Sequence, residues 1–291
     1  MRARGGAREG GTLVTGPSSV RVGAIEVVAL YDTPLRRAFT WTFPDVPAAA
    51  WPPYRELYPD AGAGENFTFN TQGFLVRMPD RTIVVDTGLG PGPHERLGGL
   101  RGRLLEELHA AGVAPGEVDT VLFTHLHGDH VGWNIVSGEP SFGRARHLVP
   151  ERDWLYFGSP ERAGSYPHIA GQVAPLAERG MLETTRGEEQ LAEGVRLLPT
   201  PGHTPGHQSL LLESRGERAV VLGDVAHHPA QVQETEWGPR FDEDSRAAAR
   251  TRRRVMEELE SESPLVIAGH FPAPGFGHVV RLEGRRIFRA L

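Results

Sequence analysis

Cysteine is absent from this 291-residue chain, which removes disulfides, thiolate metal sites and thiol nucleophiles together. Any bound metal must therefore be held by imidazole and carboxylate. Lysine is absent too, so all 31 basic residues are arginine. That excludes Schiff-base chemistry and a Walker-type phosphate lysine. The 31 basic side chains face 37 acidic ones, a net charge of −6, which leaves no electrostatic footprint for nucleic acid or an anionic membrane. No apolar run approaches the length of a membrane span, and the Gly- and Arg-rich N-terminus has no signal-like apolar core. The expectation is a cytoplasmic protein with no nucleic-acid or membrane partner. Residues 1–20 are expected to form a disordered N-terminal tail, and residues 21–291 a single domain, a length that buries a core without difficulty.

After the tail, residues 25–30 are predicted as a strand. A long Pro- and aromatic-rich stretch follows at 38–66, with Trp41, Phe43, Trp51, Tyr54 and Tyr58; stretches of this length are functional or packed against something. Strands at 69–77 and 82–86, joined by a Pro79-Asp80 turn, read as a hairpin. Leu100, Leu104, Leu105, Leu108 and Ala111 fall at helical spacing and stop at Gly112. Further strands are predicted at 120–124, 145–149, 195–199, 208–213, 219–222 and 265–268. Further helices are predicted at 150–157, 168–178 and 245–259, the last capped by Asp244 or Ser245. Two small sheets flanked by helices fit this order.

The chemistry is concentrated at 124–130, Thr-His-Leu-His-Gly-Asp-His, directly after an apolar strand. Packing does not call for three imidazoles and a carboxylate in so short a span. On a turn leaving a strand, His125 and His127 point one way while Asp129 and His130 reach a second point, which implies two neighbouring metal ions. Further ligands should then lie at later strand ends. His203 in Pro-Gly-His-Thr-Pro-Gly-His, Asp224 after Gly223, and His270 after Gly269 meet that requirement. Glycine beside each permits the sharp turn that swings a ligand toward a common rim.

Together with Val84-Val85-Asp86-Thr87-Gly88, these segments resemble the metallo-β-lactamase superfamily, in order over about residues 21–291. The resemblance implies an α/β (α+β) fold, an αββα sandwich of two mixed β-sheets flanked by helices, with metals at one rim. It assigns His125, His127 and His203 to one ion, and Asp129, His130 and His270 to the other, with Asp224 bridging and Asp86 anchoring the ligand loop. Two divalent ions are implied, zinc by default, although iron, manganese or cobalt suits the same ligands. The implied activity is binuclear-metal hydrolysis of a small-molecule ester, lactone or phosphotriester by a metal-bridging hydroxide, which Asp129 would orient or relieve of a proton.

Within the superfamily, zinc β-lactamases generally lack an aspartate at the place of Asp224. Glyoxalase II enzymes carry a C-terminal helical region, whereas 21 residues follow His270 here. Transfer-RNA maturation nucleases present a basic surface. The segments 130–134, 223–229 and 269–274 are most similar to N-acyl-homoserine lactonases and methyl-parathion-type organophosphorus hydrolases. In those lactonases a tyrosine commonly stands three residues after the bridging aspartate; here it is His227, expected as a catalytic group donating to a carbonyl or phosphoryl oxygen. An iron-dependent sulfur dioxygenase-like enzyme and a glyoxalase II-like thioester hydrolase are the alternative readings. The aromatic 38–66 stretch, with Trp154, Tyr156 and Phe157, is expected either to wall a pocket or to serve as core or as the contact of a homodimer. His207, His228 and His278 are expected outside the ligand set.

Overall fold

The computed structural model describes residues 18–162 and 164–291. Most of the tail expected over 1–20 therefore lies outside the described residues, and Ser19 and Val20 already belong to a strand. Two sheets carry the architecture. The eight-stranded one runs in the order Ser19–Val22, Ile25–Ala38, Asn66–Arg77, Thr82–Val85, Thr120–Leu122, Arg146–Pro150 and Leu182–Thr185, with Gly62–Ala63 paired onto Asn66–Arg77. The seven-stranded one runs Glu189–Ala192, Val195–Pro199, Gln208–Ser214, Glu217–Val221, Leu265–Ile267, Phe276–Leu282 and Arg285–Ala290. The closing hairpin, Phe276 onward, lies beyond the last strand expected from sequence.

Period-two alternation explains why these strands read as nearly continuous apolar runs. Val27, Ala29, Ile83 and Val85 face the second sheet and meet Leu210, Leu212, Val221 and Ile267 in one shared core. Val28, Leu30 and Val84 point the other way, under Leu104 and Leu108 of the Leu104–Ala110 helix and Phe157 of Glu151–Phe157. On the far side, Leu211, Val220 and Val266 are covered by Val255, Met256 and Leu259 of the Ser245–Glu262 helix. Asp244 caps that helix, accepting from the Ala247 N–H at 2.9 Å. Helix, sheet, sheet and helix form the four layers of the expected sandwich.

The 38–66 stretch is not a single loop. The Ile25–Ala38 strand runs into it, and short helices occupy Phe39–Thr42 and Pro52–Leu57. Phe39, Phe43, Trp51, Phe67 and Phe69 pack on one another in a core of their own. A bulge between Tyr31 and Thr33 turns Asp32 inward. Its carboxylate accepts from the backbone N–H groups of Leu89, Arg103 and Leu104 and from the Trp133 indole. Three connections are thereby fixed to one strand.

Candidate metal centre

Parallel pairing sets the site. Val85 lies beside Leu122 and Val221 beside Ile267, each pair running the same way. Asp86 and Thr124 therefore leave the first sheet together, and Asp224 and His270 leave the second together, all at one rim. Glycine is required at two of these exits. At Gly223, φ is +55° and a Cβ would stand 2.6 Å from His207 Nε2. Gly202, before His203, would drive a Cβ to 2.2 Å from the backbone of Ala248.

His125, His130, His203 and His270 each have Nδ1 engaged and Nε2 turned inward, while His127 Nδ1 lies 2.9 Å from His203 Nε2 within the cluster. Asp86 accepts from Thr124 N at 2.8 Å and Thr124 Oγ1 at 2.7 Å, and its Oδ2 meets His130 Nδ1 at 2.9 Å. Thr124 Oγ1 in turn lies 3.0 Å from His125 Nδ1. His270 Nδ1 donates to the Asn70 carbonyl at 2.6 Å, and His203 Nδ1 faces Asp242 Oδ1 at 2.9 Å. Contacts of this kind fix the tautomer and ring plane of an imidazole that binds metal through its other nitrogen.

The inward atoms converge on Asp224, 3 % exposed. Its Oδ2 lies 3.6 Å from His125 Nε2, 3.2 Å from His203 Nε2 and 3.1 Å from His270 Nε2, and its Oδ1 lies 3.3 Å from His130 Nε2. Ligand atoms around a tetrahedral zinc at about 2.0–2.1 Å stand roughly 3.3 Å apart, so this spacing suits shared ions. His125 Nε2, His130 Nε2 and Asp224 Oδ1 are buried without a hydrogen-bond partner, a cost that divalent ions would offset. His125, His127 and His203 form one group whose ligand atoms lie within 4.8 Å of one another, and Asp129, His130 and His270 form another. All seven residues expected as ligands are thus brought together, and the donor set fits two ions.

For the protein's own groups alone, protons occupy much of this space. Burial opposes charge on every ring. Yet Asp224, Asp86 and Asp129 hold His130 well above the ordinary range, and Asp224 with Asp242 raises His203 to about 9. Burial also disfavours the Asp224 anion, but His270, His130, His227 and His125 keep it well below the usual carboxylate range. His125 and His127 are driven down by burial and by neighbouring rings.

His227 does not stand free in the cavity. Its Nε2 is 3.0 Å from Asp224 Oδ2, its ring stacks on His270 at 5.1 Å, and with His203 and Asp224 it forms a further group of metal-capable atoms. Burial lowers it to about 4. His207 is held by Thr200, and its Nε2 accepts the Asp224 N–H at 2.8 Å, so it positions the Asp224 backbone. His228 is boxed among Phe39, Trp51, Tyr58 and Phe67 as core. His278 faces the Pro264 carbonyl, away from the site.

Three buried residues escape sequence reasoning. Asp242 holds His203, and Arg252 holds Asp242, donating from Nη2 to Oδ2 at 3.2 Å, while its Nε donates to Val225 O at 2.7 Å. Asp153 accepts from Leu126 N, Thr204 Oγ1 and Gly206 N at 3.1, 2.8 and 2.6 Å, clamping the two His loops to each other. Burial raises its carboxyl to about 6. A cavity of about 870 Å³ opens over the centre. Trp41 is the one aromatic of the 38–66 stretch that lines it, and Trp154, Tyr156 and Phe157 do not. Phe69, Tyr166 and Phe241 supply the remaining aromatic wall.

Fold and site together define the class. The family model described as the metallo-beta-lactamase superfamily matches residues 68–270, and the chain belongs to that superfamily, among its metal-dependent hydrolases. An N-acyl homoserine lactonase from a Bacillus species is 27 % identical over 219 residues, which span 68 % of this chain and 79 % of that one. The N-acyl homoserine lactonase AiiB of Agrobacterium fabrum is 26 % identical over 223 residues, 68 % of this chain and 78 % of its own. Among solved structures, the hydrolase AbOPH of the beta-lactamase superfamily superposes with a TM-score of 0.87 at 26 % identity, covering 96 % of this chain and 99 % of its own. The dizinc quorum-quenching lactonase AidC shares the fold, with a TM-score of 0.82 at 20 % identity over 95 % of this chain and 97 % of its own. No helix among the described residues is long and apolar enough to cross a membrane.

Proposed function

We propose that the chain is a binuclear-metal hydrolase of small esters, lactones or phosphotriesters, with residues 21–291 acting as one domain. The observation that carries the reading is Asp224, whose two oxygens lie between two groups of inward-facing ligands. His125, His127 and His203 would hold one ion, and Asp129, His130 and His270 the other, with zinc the first choice because AidC is a dizinc lactonase. Such a pair supplies a water whose pKa is lowered toward neutrality and a Lewis acid for the carbonyl or phosphoryl oxygen.

The chain's own residues do the rest. Asp129, which lines the cavity with its side chain 22 % exposed, would take the proton of the attacking water and hand it to the leaving oxygen. His227, beside Asp224 and lining the cavity, would contact the substrate's reacting group. Leu35, Phe69, Trp41 and Phe241 offer an apolar wall that orients the acyl or alkoxy portion and excludes water.

The test is elemental analysis of purified protein followed by turnover assays on an aryl ester, an acyl-homoserine lactone, a phosphotriester and a thioester. Two metals per chain and hydrolysis of at least one oxygen ester, lactone or phosphotriester support the reading. Two metals with activity on none of these overturns it. Oxygen uptake with a persulfide in iron-loaded protein would instead mark a dioxygenase.

A further inference from the structure

The wall of the cavity is not uniform in charge. From His227 outward, Phe241 lies 6.1 Å away ring to ring and Trp41 a further 5.6 Å from Phe241. Trp41 remains 43 % exposed at the mouth. Two guanidinium groups meet this ring, Arg240 at 4.5 Å and Arg37 at 5.6 Å from its centroid, and both arginines line the cavity. Backbone pairing holds them there: Arg240 N donates to Thr42 O at 2.8 Å, fixing the 240 loop to the Phe39–Thr42 helix, and Arg37 sits in register opposite Phe67.

Neither guanidinium has a carboxylate partner among the described residues. Arg37 reaches only the adjacent Arg36 carbonyl. The nearby acids are committed elsewhere. Glu243 accepts from the Tyr156 and Tyr166 hydroxyls, each at 2.8 Å, and Asp242 is held between His203 and Arg252. Other surface arginines are paired in part, as Arg146 is with Glu183 and Arg281 with Glu260; what sets Arg37 and Arg240 apart is that both stand over one ring that lines the cavity. Two unpaired arginines flanking one aromatic ring at the cavity mouth are a receptor for an anion joined to an apolar segment.

We propose that Arg37, Arg240 and Trp41 form an anion subsite, and that preferred substrates carry a carboxylate or phosphate at the end of an apolar acyl segment whose other end is the scissile bond. This inference rests on the hydrolase reading above. The acyl segment would lie along Phe241 and Trp41, with its reacting carbonyl at Asp224 and its anionic end at the two arginines.

The test uses the metal-loaded full chain and matched 4-nitrophenyl esters: hexanoate against the adipate monoester, and decanoate against the sebacate monoester. Two spacer lengths are needed because the path to the arginines is two rings long. At low salt, at least one diacid monoester should exceed its neutral partner in kcat/KM by about three- to tenfold, mainly through KM, as two exposed ion pairs allow. The preference should shrink at about 0.5 M salt. In the Arg37→Gln/Arg240→Gln double variant the ratio should fall toward one, while Arg81→Gln, paired with Asp80 on the remote turn, should keep it. A wild-type ratio at or below one for both lengths, or a ratio that survives the double variant, overturns the proposal. If none of these esters is turned over, the hydrolase reading rests on the lactone and phosphotriester assays and fails only if those substrates too are untouched. The subsite is then judged by sebacate binding in calorimetry: weaker binding to the double variant supports it, and equal binding refutes it.

Discussion

Replacing Arg252 with methionine isolates the role of a charge that never touches the cavity. The Arg252 side chain is wholly buried, as is that of its partner Asp242. Methionine keeps much of the aliphatic volume but removes all three donors, to Val225 O, Thr235 O and Asp242 Oδ2. Breaking a buried ion pair from one side costs about 3–5 kcal/mol, because the remaining charge is stranded. The two orphaned carbonyls act within that figure, since the groups share one network. At roughly 2–4 °C per kcal/mol for a chain of this size, the melting temperature should fall by about 6–20 °C. A second effect separates positioning from bulk stability. Asp242 holds the His203 ring, and loss of such a partner weakens metal binding about 10- to 100-fold, so the ion proposed at His125, His127 and His203 should be lost to a chelator before the other. Arg252→Lys keeps the charge without the planar fork and should restore only part of either property. Calorimetry and a chelator titration followed by elemental analysis read both effects. A melting temperature within about 2 °C of wild type, with both ions equally retained, would refute the reasoning.

Asp224→Ala should leave fewer than two metals per chain and reduce turnover by about a hundredfold or more, whereas His278→Ala should leave metal content unchanged; equal metal content in both variants sinks the bridging assignment. Because Asp224 and Asp242 raise His203 to about 9, and His130 and His270 are also raised, the metal-free site carries protons that ions must displace. Zinc uptake at pH 7 should therefore release protons, and apparent affinity should climb with pH up to about 9; calorimetry in buffers of different ionisation enthalpy checks this, and heats independent of buffer contradict it. His227→Ala should retain two metals while kcat falls about a hundredfold; loss of an ion would show that His227 is a ligand instead. Asp153→Ala strands the Leu126 and Gly206 N–H groups and the Thr204 hydroxyl, and should destabilise the protein by about 2–4 kcal/mol in denaturant melts, against no change if the clamp is immaterial.

The seven proposed ligand positions stand out in the sequence because each is a local event, a polar residue just after an apolar strand and, at His127, Asp129, His203, Asp224 and His270, beside glycine. The layered fold followed from the same strands. Asp242 was not legible because it lies in irregular chain among other acids, Phe-Asp-Glu-Asp, where nothing in the sequence marks one carboxylate as buried. Arg252 did leave a trace. It falls on the stripe of Ala248, Ala249, Val255, Met256 and Leu259, so helical phase alone sets it apart from Arg250, Arg253 and Arg254. The aromatic stretch was left open for a different reason: composition cannot tell a pocket wall from a core, and Phe39, Phe43 and Trp51 turn inward while Trp41 does not. Asp32 depended on a bulge, which shifts register without any sequence signal.

The rim draws His125, His127, Asp129 and His130 from one sheet and His203, Asp224 and His270 from the other. Ions bound there are therefore tied to both halves of the sandwich, and their affinity depends on how closely the halves are docked. By reciprocity, whatever loosens the seam between the sheets weakens the ions, and removing the ions frees the seam to breathe. Hydrogen exchange along Gln208–Ser214 and Thr82–Val85, whose Leu210, Leu212, Ile83 and Val85 share the core between the sheets, would then rise together on chelation. The proposed metal centre would then also work as a hasp on the fold.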